Sequence, residues 1–164
     1  MKERFEAMNK SKAEFVKKFE QNDVLLPHTY IIVRVDGKGF TKFCDTISLE
    51  KPNDMRLIQL MNKTAKHIMM TYKEIELAYG QSDEFNFVFK KKANVFNRRH
   101  DKVLSTIVSL FSSAFMFYFD KYFIDTRIVI IPSFEAKVVL LPSLGDVKAY
   151  ISYRQVDCHV ENLN

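Results

Sequence analysis

Apolar positions along the chain switch between a helical and a strand period, and the switches mark the elements. From about Ala7 to Gln21, Phe15, Val16 and Phe19 fall on one side with lysines elsewhere, which predicts an amphipathic helix. Leu25-Leu26-Pro27 breaks that pattern. Tyr30-Ile31-Ile32-Val33-Arg34-Val35 then reads as a buried, β-branched strand that delivers Asp36 to its C-terminal edge. Gly37 and Gly39 turn the chain sharply and permit close backbone approach to a ligand. Lys42 to Glu50 reads as irregular surface chain. Lys51-Pro52-Asn53-Asp54 opens a second helix, with Pro52 and Asn53 as start signals. Leu57, Leu60, Met61, Ala65, Ile68 and Tyr72 follow at helical spacing as a core stripe.

Ile75, Leu77 and Tyr79 alternate with Glu76, Ala78 and Gly80, and Phe85, Phe87 and Phe89 alternate with Asn86 and Val88. Both runs predict strands, and the short Gly80–Glu84 turn between them predicts a β-hairpin with Asp83 and Glu84 at its tip. A long helix is expected from about Asn94 to Tyr122, with Leu104, Ile107, Val108, Phe111, Ala114, Phe115 and Tyr118 buried. Arg98, Arg99 and Lys102 lie within one turn of each other, roughly opposite that stripe. Phe134 to Leu141 gives a fourth strand, and Ser143 caps a last helix that reaches about Asp157. A four-stranded antiparallel sheet in βαββαβ order, α+β and ferredoxin-like, with two helices on one face satisfies this sequence of elements. In such a sheet Asp36 and Asp83 meet at one edge.

Length and composition narrow the picture. The 164 residues suit one domain over the whole chain, and 47% apolar content suffices for a core. A formal net charge of +5 favours a polyanionic partner, nucleic acid or nucleotide. Cys44 and Cys158 provide neither a disulfide scaffold nor metal-ligand spacing, which points to a reducing compartment. No uninterrupted apolar run of about 18 residues predicts a membrane span. Acidic residues among the first six argue against a transit peptide, so cytosol or nucleus is expected.

Two carboxylates at one sheet edge raise each other's pKa, and a magnesium ion relieves that repulsion while binding phosphate oxygens. The carbonyl of Gly37 would add a further ligand. Two such ions about 3.5–4 Å apart would stabilise both the attacking and leaving oxygens of an in-line displacement. Alone, Asp36 and Asp83 would each read as an ordinary turn acid; it is their convergence that points to metal and triphosphate. Ser82 either touches a phosphate or caps its turn. Arg98, Arg99 and Lys102 either grip phosphate oxygens or form a solvated helix face. Phe85, Phe87 and Phe89 invite a base-stacking reading, as in an RNA-binding module, but read better as core.

Several motifs occur in one order: Val33-Arg34-Val35-Asp36-Gly37-Lys38-Gly39-Phe40, Glu50-Lys51-Pro52-Asn53-Asp54, Ala78-Tyr79-Gly80-Gln81-Ser82-Asp83-Glu84, Arg98-Arg99, and Tyr153-Arg154-Gln155-Val156-Asp157-Cys158-His159. Together they closely resemble the tRNA-histidine guanylyltransferases from about Ser11 onward. The resemblance implies a palm-like domain that adds guanosine from GTP to the 5′ end of tRNA-histidine after ATP-dependent 5′-adenylylation, a 3′–5′ addition. Repair of 5′ ends on other tRNAs, or a catalytically impaired tRNA- and nucleotide-binding paralogue, is the alternative.

By that resemblance Asp36 and Asp83 match the metal-binding, catalytic aspartates, and Gly37 matches the carbonyl ligand of the two Mg2+ ions. Gly37, Lys38, Gly39, Phe40 and Thr41 match the loop that holds the triphosphate, with Asp54, Ser82 and Asp83 completing the nucleotide site. Lys51, Arg98, Arg99, Lys102, His159 and Asn162 match positions implicated in phosphate or tRNA contacts. A homotetramer is also implied. The chain departs from the family in carrying Thr41 where a histidine is usual, Lys137 where arginine is common, and Glu161 where a neutral amide is expected. The motif containing His159 and Asn162 is followed by the end of the chain at Asn164, so the expectation is one palm-like domain over 1–164 without the C-terminal extension of most members.

Overall fold

Four antiparallel strands in the order β2-β3-β1-β4 carry the molecule, in a computed structural model that describes residues 14–50 and 54–161. They are β1 (Tyr30–Lys38), β2 (Ile75–Gln81), β3 (Glu84–Phe89) and β4 (Ser133–Leu141). The helices are α1 (Phe40–Thr46), α2 (Met55–Thr71), α3 (His100–Tyr122) and α4 (Leu144–Glu161). The sheet with α2 and α3 has the expected βαββαβ order. β1 lies between β3 and β4, pairing Val35 with Phe85 and Asp36 with Glu135. This central position explains the run Ile31-Ile32-Val33 in β1, because both faces of the strand are covered there.

One face packs on α2 and α3. Ile31, Val33 and Val35 of β1 and Phe85, Phe87 and Phe89 of β3 point into this layer and are buried. Leu60, Met61, Ala65 and Ile68 of α2 meet them, with Val103, Ile107, Phe111, Phe115 and Phe119 of α3. The three β3 phenylalanines are therefore core, and the base-stacking reading is set aside. α3 has the length and apolarity of a membrane-crossing helix, with mean hydropathy 1.5, yet its buried stripe is the centre of this core.

The other face is covered as well. Ile32 and Val88 pack under Val147, Tyr150 and Ile151 of α4. Consequently β3 is buried at every position, polar Glu84 and Asn86 included. α4 starts as expected: Ser143 Oγ accepts from Asp146 N–H at 3.1 Å and the two side chains also bond to each other. The helix continues past Asp157 to Glu161.

Several local expectations are corrected. Among the described residues the N-terminal helix is only a 3₁₀ turn, Glu14–Phe19, and Phe19 is 79% exposed on it. Residues 40–46 form α1 rather than irregular chain, because Phe40 and Phe43 are anchored in the core. Phe40 meets Phe43, Phe134 and Phe115 with ring centroids 5.2, 5.5 and 5.9 Å away. α2 is capped by Asp54; Pro52 and Asn53 lie outside the described residues. α3 begins at His100, not Asn94, since Phe96, Asn97 and Arg98 take left-handed backbone angles that no α-helix accommodates.

Candidate active site

The ladder between β1 and β3 ends at Val35 and Phe85, and continuing it by two residues sets Gly37 opposite Asp83. The hairpin turns there on two residues, Ser82 and Asp83, since Gln81 already pairs with Glu84. Ser82, exposed at the tip, has φ of 56°, a left-handed value that directs the chain back into β3. The Asp83 carboxylate comes to rest against the backbone of Gly37: a methyl group on Gly37 would stand 2.5 Å from Asp83 Oδ2. The absence of a side chain at Gly37 is what allows this approach.

Asp36, the residue before, is half-buried on the face shared with Arg34. Burial pushes its pKa up, and the charges of Asp83, Glu84 and Glu135 add to the rise against the opposing pull of Arg34. A divalent cation removes this kind of penalty. Among the described residues no three His, Cys, Asp or Glu side chains gather into a metal site. The donor set is instead two carboxylates and the carbonyls of a glycine turn, hard oxygens that fit magnesium completed by phosphate oxygens and water. Cys44 is no rival ligand, because burial and the nearby charge of Asp83 hold its thiol at about 11.

After Gly37 the chain exposes Lys38, Gly39 and Thr41 at the same edge, while the Phe40 ring is buried as an anchor. Gly39 takes φ of 60° and leads into α1. Phe40 thus holds the loop in place, leaving backbone and the Lys38 side chain as its exposed chemistry. Asp54, also at this end of the sheet by topology, is committed locally. Its Oδ1 accepts from Arg56 N–H at 2.8 Å and Nε at 3.1 Å; its Oδ2 accepts from Glu50 N–H at 3.0 Å and Arg56 Nη2 at 2.6 Å. Chiefly through Arg56, its carboxyl is held well below the usual range. Asp54 therefore caps α2 and is 5% exposed.

Arg98 does not lie on a solvated helix face. It is buried, and its guanidinium donates to the carbonyls of Leu25 (3.2 Å), Leu26 (2.6 Å), Ala93 (2.9 Å) and Thr29 (3.3 Å) and to Thr29 Oγ1 (3.0 Å). This clamp ties the segment before β1 to the turn before α3. Arg99, half-buried, bridges to Val24 through its backbone, and Lys102 is exposed nearby. All three sit at the end of the sheet where β1 begins. Six residues of strand, roughly 20 Å, separate that end from Asp36. One chain thus gathers Asp36, Gly37–Thr41, Ser82, Asp83 and Asp54 at one end and Arg98, Arg99 and Lys102 at the other. Lys51 and Asn162 lie outside the described residues; His159 lies in the last turns of α4, and its side chain is outside the described set.

A buried polar cluster escaped the sequence pattern. Glu84, expected at the hairpin tip, is inside β3 and 4% exposed. Arg154 of α4 grips it with two bonds, Nε to Oε1 at 2.9 Å and Nη2 to Oε2 at 2.6 Å. Asn86 donates to Glu84 Oε1 at 2.7 Å and accepts from Tyr150 Oη at 3.2 Å, and Arg154 also bonds Asp157. Arg34 approaches Glu84 Oε2 at 3.8 Å, its Nε buried without a hydrogen bond. Glu84 and Asn86 alternate with phenylalanines along β3, a pattern that reads as a solvated face and gives no sign of the helix that covers it.

The sequence profile of a family described as tRNAHis guanylyltransferase matches residues 13–142. The tRNA(His) guanylyltransferase of Schizosaccharomyces pombe is 47% identical over 156 residues, which are 95% of this chain and 59% of that protein. That of Neurospora crassa is 48% identical over 158 residues, 95% of this chain and 54% of the relative. The chain thus spans a little over half the length of these relatives. The crystal structure of tRNA(His) guanylyltransferase from Saccharomyces cerevisiae superposes with a TM-score of 0.85 at 41% identity, over 91% of this chain and 66% of that one. A bacterial tRNA(His) guanylyltransferase-like protein in complex with GTP shares the fold, with a TM-score of 0.79 at 22% identity over 90% of this chain and 71% of its own.

Proposed function

This chain belongs to the tRNA(His) guanylyltransferase family, and from that premise we propose that its palm-like domain transfers guanosine from GTP to the 5′ end of a tRNA, histidine tRNA above all. The observation that carries the reading is the seating of Asp83 on Gly37 beside Asp36, where burial and the charge of Asp83 penalise an ionised Asp36 unless a cation joins them.

Asp36 and Asp83, with the Gly37 carbonyl, would hold magnesium. When bound, magnesium supplies charge stabilisation to the triphosphate and to the oxygens that attack and leave. The exposed turn from Gly37 to Thr41 would receive the triphosphate, with its backbone amides and Lys38 meeting phosphate oxygens. Phe40, locked in the core, keeps that turn in one conformation, so little ordering is left to binding. In the proposed sequence the tRNA 5′-phosphate displaces pyrophosphate from ATP to give an adenylylated end. The 3′-hydroxyl of GTP then attacks that phosphate and expels AMP. The placement of Arg99 and Lys102 at the far end of the sheet, beside the buried Arg98 clamp, supports assembly as a homo-oligomer, in which one subunit's basic end would serve tRNA engaged at another's carboxylates. Exposed Phe117 and Ile131, each 80% accessible, suit burial in such an assembly.

The test is an assay on 5′-monophosphorylated tRNA with ATP, GTP and magnesium, comparing the chain with Asp83→Ala. Metal-dependent adenylylated and extended product is expected from the first and none from the second. Equal product from both would overturn the two-carboxylate reading.

A further inference from the structure

We propose that Arg154, on α4, is the positioning residue for Asp83 and acts through Glu84. The proposal rests on the nucleotidyl-transfer reading above and adds to it how the hairpin carboxylate is held. Asp83 is exacting to place: its oxygen lies against Gly37, yet the hairpin tip that carries it extends beyond the last hydrogen-bonded pair of β1 and β3. The tip also contains Ser82 in a left-handed conformation, which a non-glycine residue adopts at a cost. Backbone pairing to β2 through Gln81 holds one side of the turn. On the other side, the next residue after Asp83 is clamped by a side chain from a helix 70 residues away.

The clamp has the features of a positioning device. Both partners are buried, Arg154 to 7% and Glu84 to 4%. The bonds are two and parallel, so the planar guanidinium fixes orientation as well as distance. Asn86 and Tyr150 complete the carboxylate's surroundings, and Asp157 holds a further nitrogen of Arg154. Glu84 is thereby committed to protein donors. It is kept from joining Asp36 and Asp83 as a third ligand, and its charge is paired with Arg154. Loss of the fork would free Glu84 to swing toward the edge and let the tip drift.

The experiment follows Mn2+ binding by electron paramagnetic resonance in the presence of GTP, and separately kcat and KM for guanylylation, on the 164-residue chain. Arg154→Lys keeps the charge but not the fork. The double variant Glu84→Gln/Arg154→Met removes both charges of the fork together, so neither of its two members is left buried and charged without the other. Val156→Ala, exposed on the same helix, serves as control. Both pair variants are expected to raise the Mn2+ midpoint about tenfold and to lower kcat with little change in KM for tRNA, which corresponds to about 1.4 kcal/mol of metal binding. Variants that lose thermal stability but keep the wild-type midpoint and kcat would show the pair to be structural only and overturn the inference. No GTP-dependent Mn2+ binding by the unaltered chain would instead overturn the nucleotidyl-transfer reading itself.

Discussion

Asp83 rests on Gly37. A methyl group at Gly37 would meet not only Asp83 Oδ2 at 2.5 Å but also Cβ and Cγ of Phe40 at 2.7 Å. The carboxylate and the anchor of the following turn are thus both packed against one missing side chain. Gly39, two residues on, is glycine for a different reason: its φ is +60° and a methyl group there would meet nothing.

The two glycines therefore separate in their effects. Gly37→Ala has to displace Asp83 or Phe40, and a loss of guanylylation by about 100-fold, roughly 2.7 kcal/mol, is expected. Gly39→Ala carries only the left-handed backbone penalty, about 1 kcal/mol of stability. Gly39→Asn should recover part of that, because asparagine tolerates the conformation. Urea unfolding beside steady-state kinetics on the three variants measures the separation; equal activity loss at both positions would contradict it.

In the role proposed for it, Asp36 trades stability for function. Its folded-state pKa is raised, so it costs stability increasingly as pH rises through that range, and the cost is absent in acid, where the group is protonated in both states. Asp36→Asn should accordingly stabilise the metal-free protein at pH 7, by about 0.5 kcal/mol once solvent screening is allowed for. The gain should vanish near pH 3, and nucleotide transfer should be lost throughout. Urea midpoints in EDTA at the two pH values decide it.

Asp54 behaves with the opposite sign. Its carboxyl lies well below the usual range, so its contribution is present above the ordinary carboxylate pKa and is lost as pH falls toward the depressed folded value. Asp54→Ala removes a cap and leaves the Glu50 and Arg56 amides without their acceptor, at a cost of about 1–2 kcal/mol at pH 7. Asp54→Asn should retain the cap and lose less. Thermal melts at pH 7 would contradict this if alanine and asparagine proved equal.

Arg98 serves the fold before it serves any phosphate. Arg98→Lys cannot reach four carbonyls from one ammonium, and about 2–3 kcal/mol of stability should be lost as buried acceptors go unsatisfied. For the folded fraction at low temperature, KM for GTP should stay near wild type. A tenfold rise in that KM without loss of stability would assign Arg98 to the ligand instead.

What the amino-acid order determined by itself is the order of the four strands with α2, α3 and α4, and the placing of Asp36 and Asp83 at one sheet edge. The elements follow from local information, a two-residue period for strands, a helical period for α2 and α3 and turn residues between them, and the βαββαβ order then allows β1 to lie beside the β2–β3 hairpin. The tertiary structure alone decided the rest. Periodicity tells which face of an element is apolar but not what covers the other face, so the packing of α4 over Glu84 and Asn86 was hidden. The decisive bonds are also distant in sequence, 70 residues for Arg154 with Glu84 and 73 for Arg98 with Leu25. A charged residue that looks solvated in its own helix or turn becomes buried once such a partner neutralises it or fills its hydrogen-bonding capacity. That is why Arg98 became a clamp, Asp54 a cap and Glu84 an anchored neighbour of the carboxylates rather than one of them.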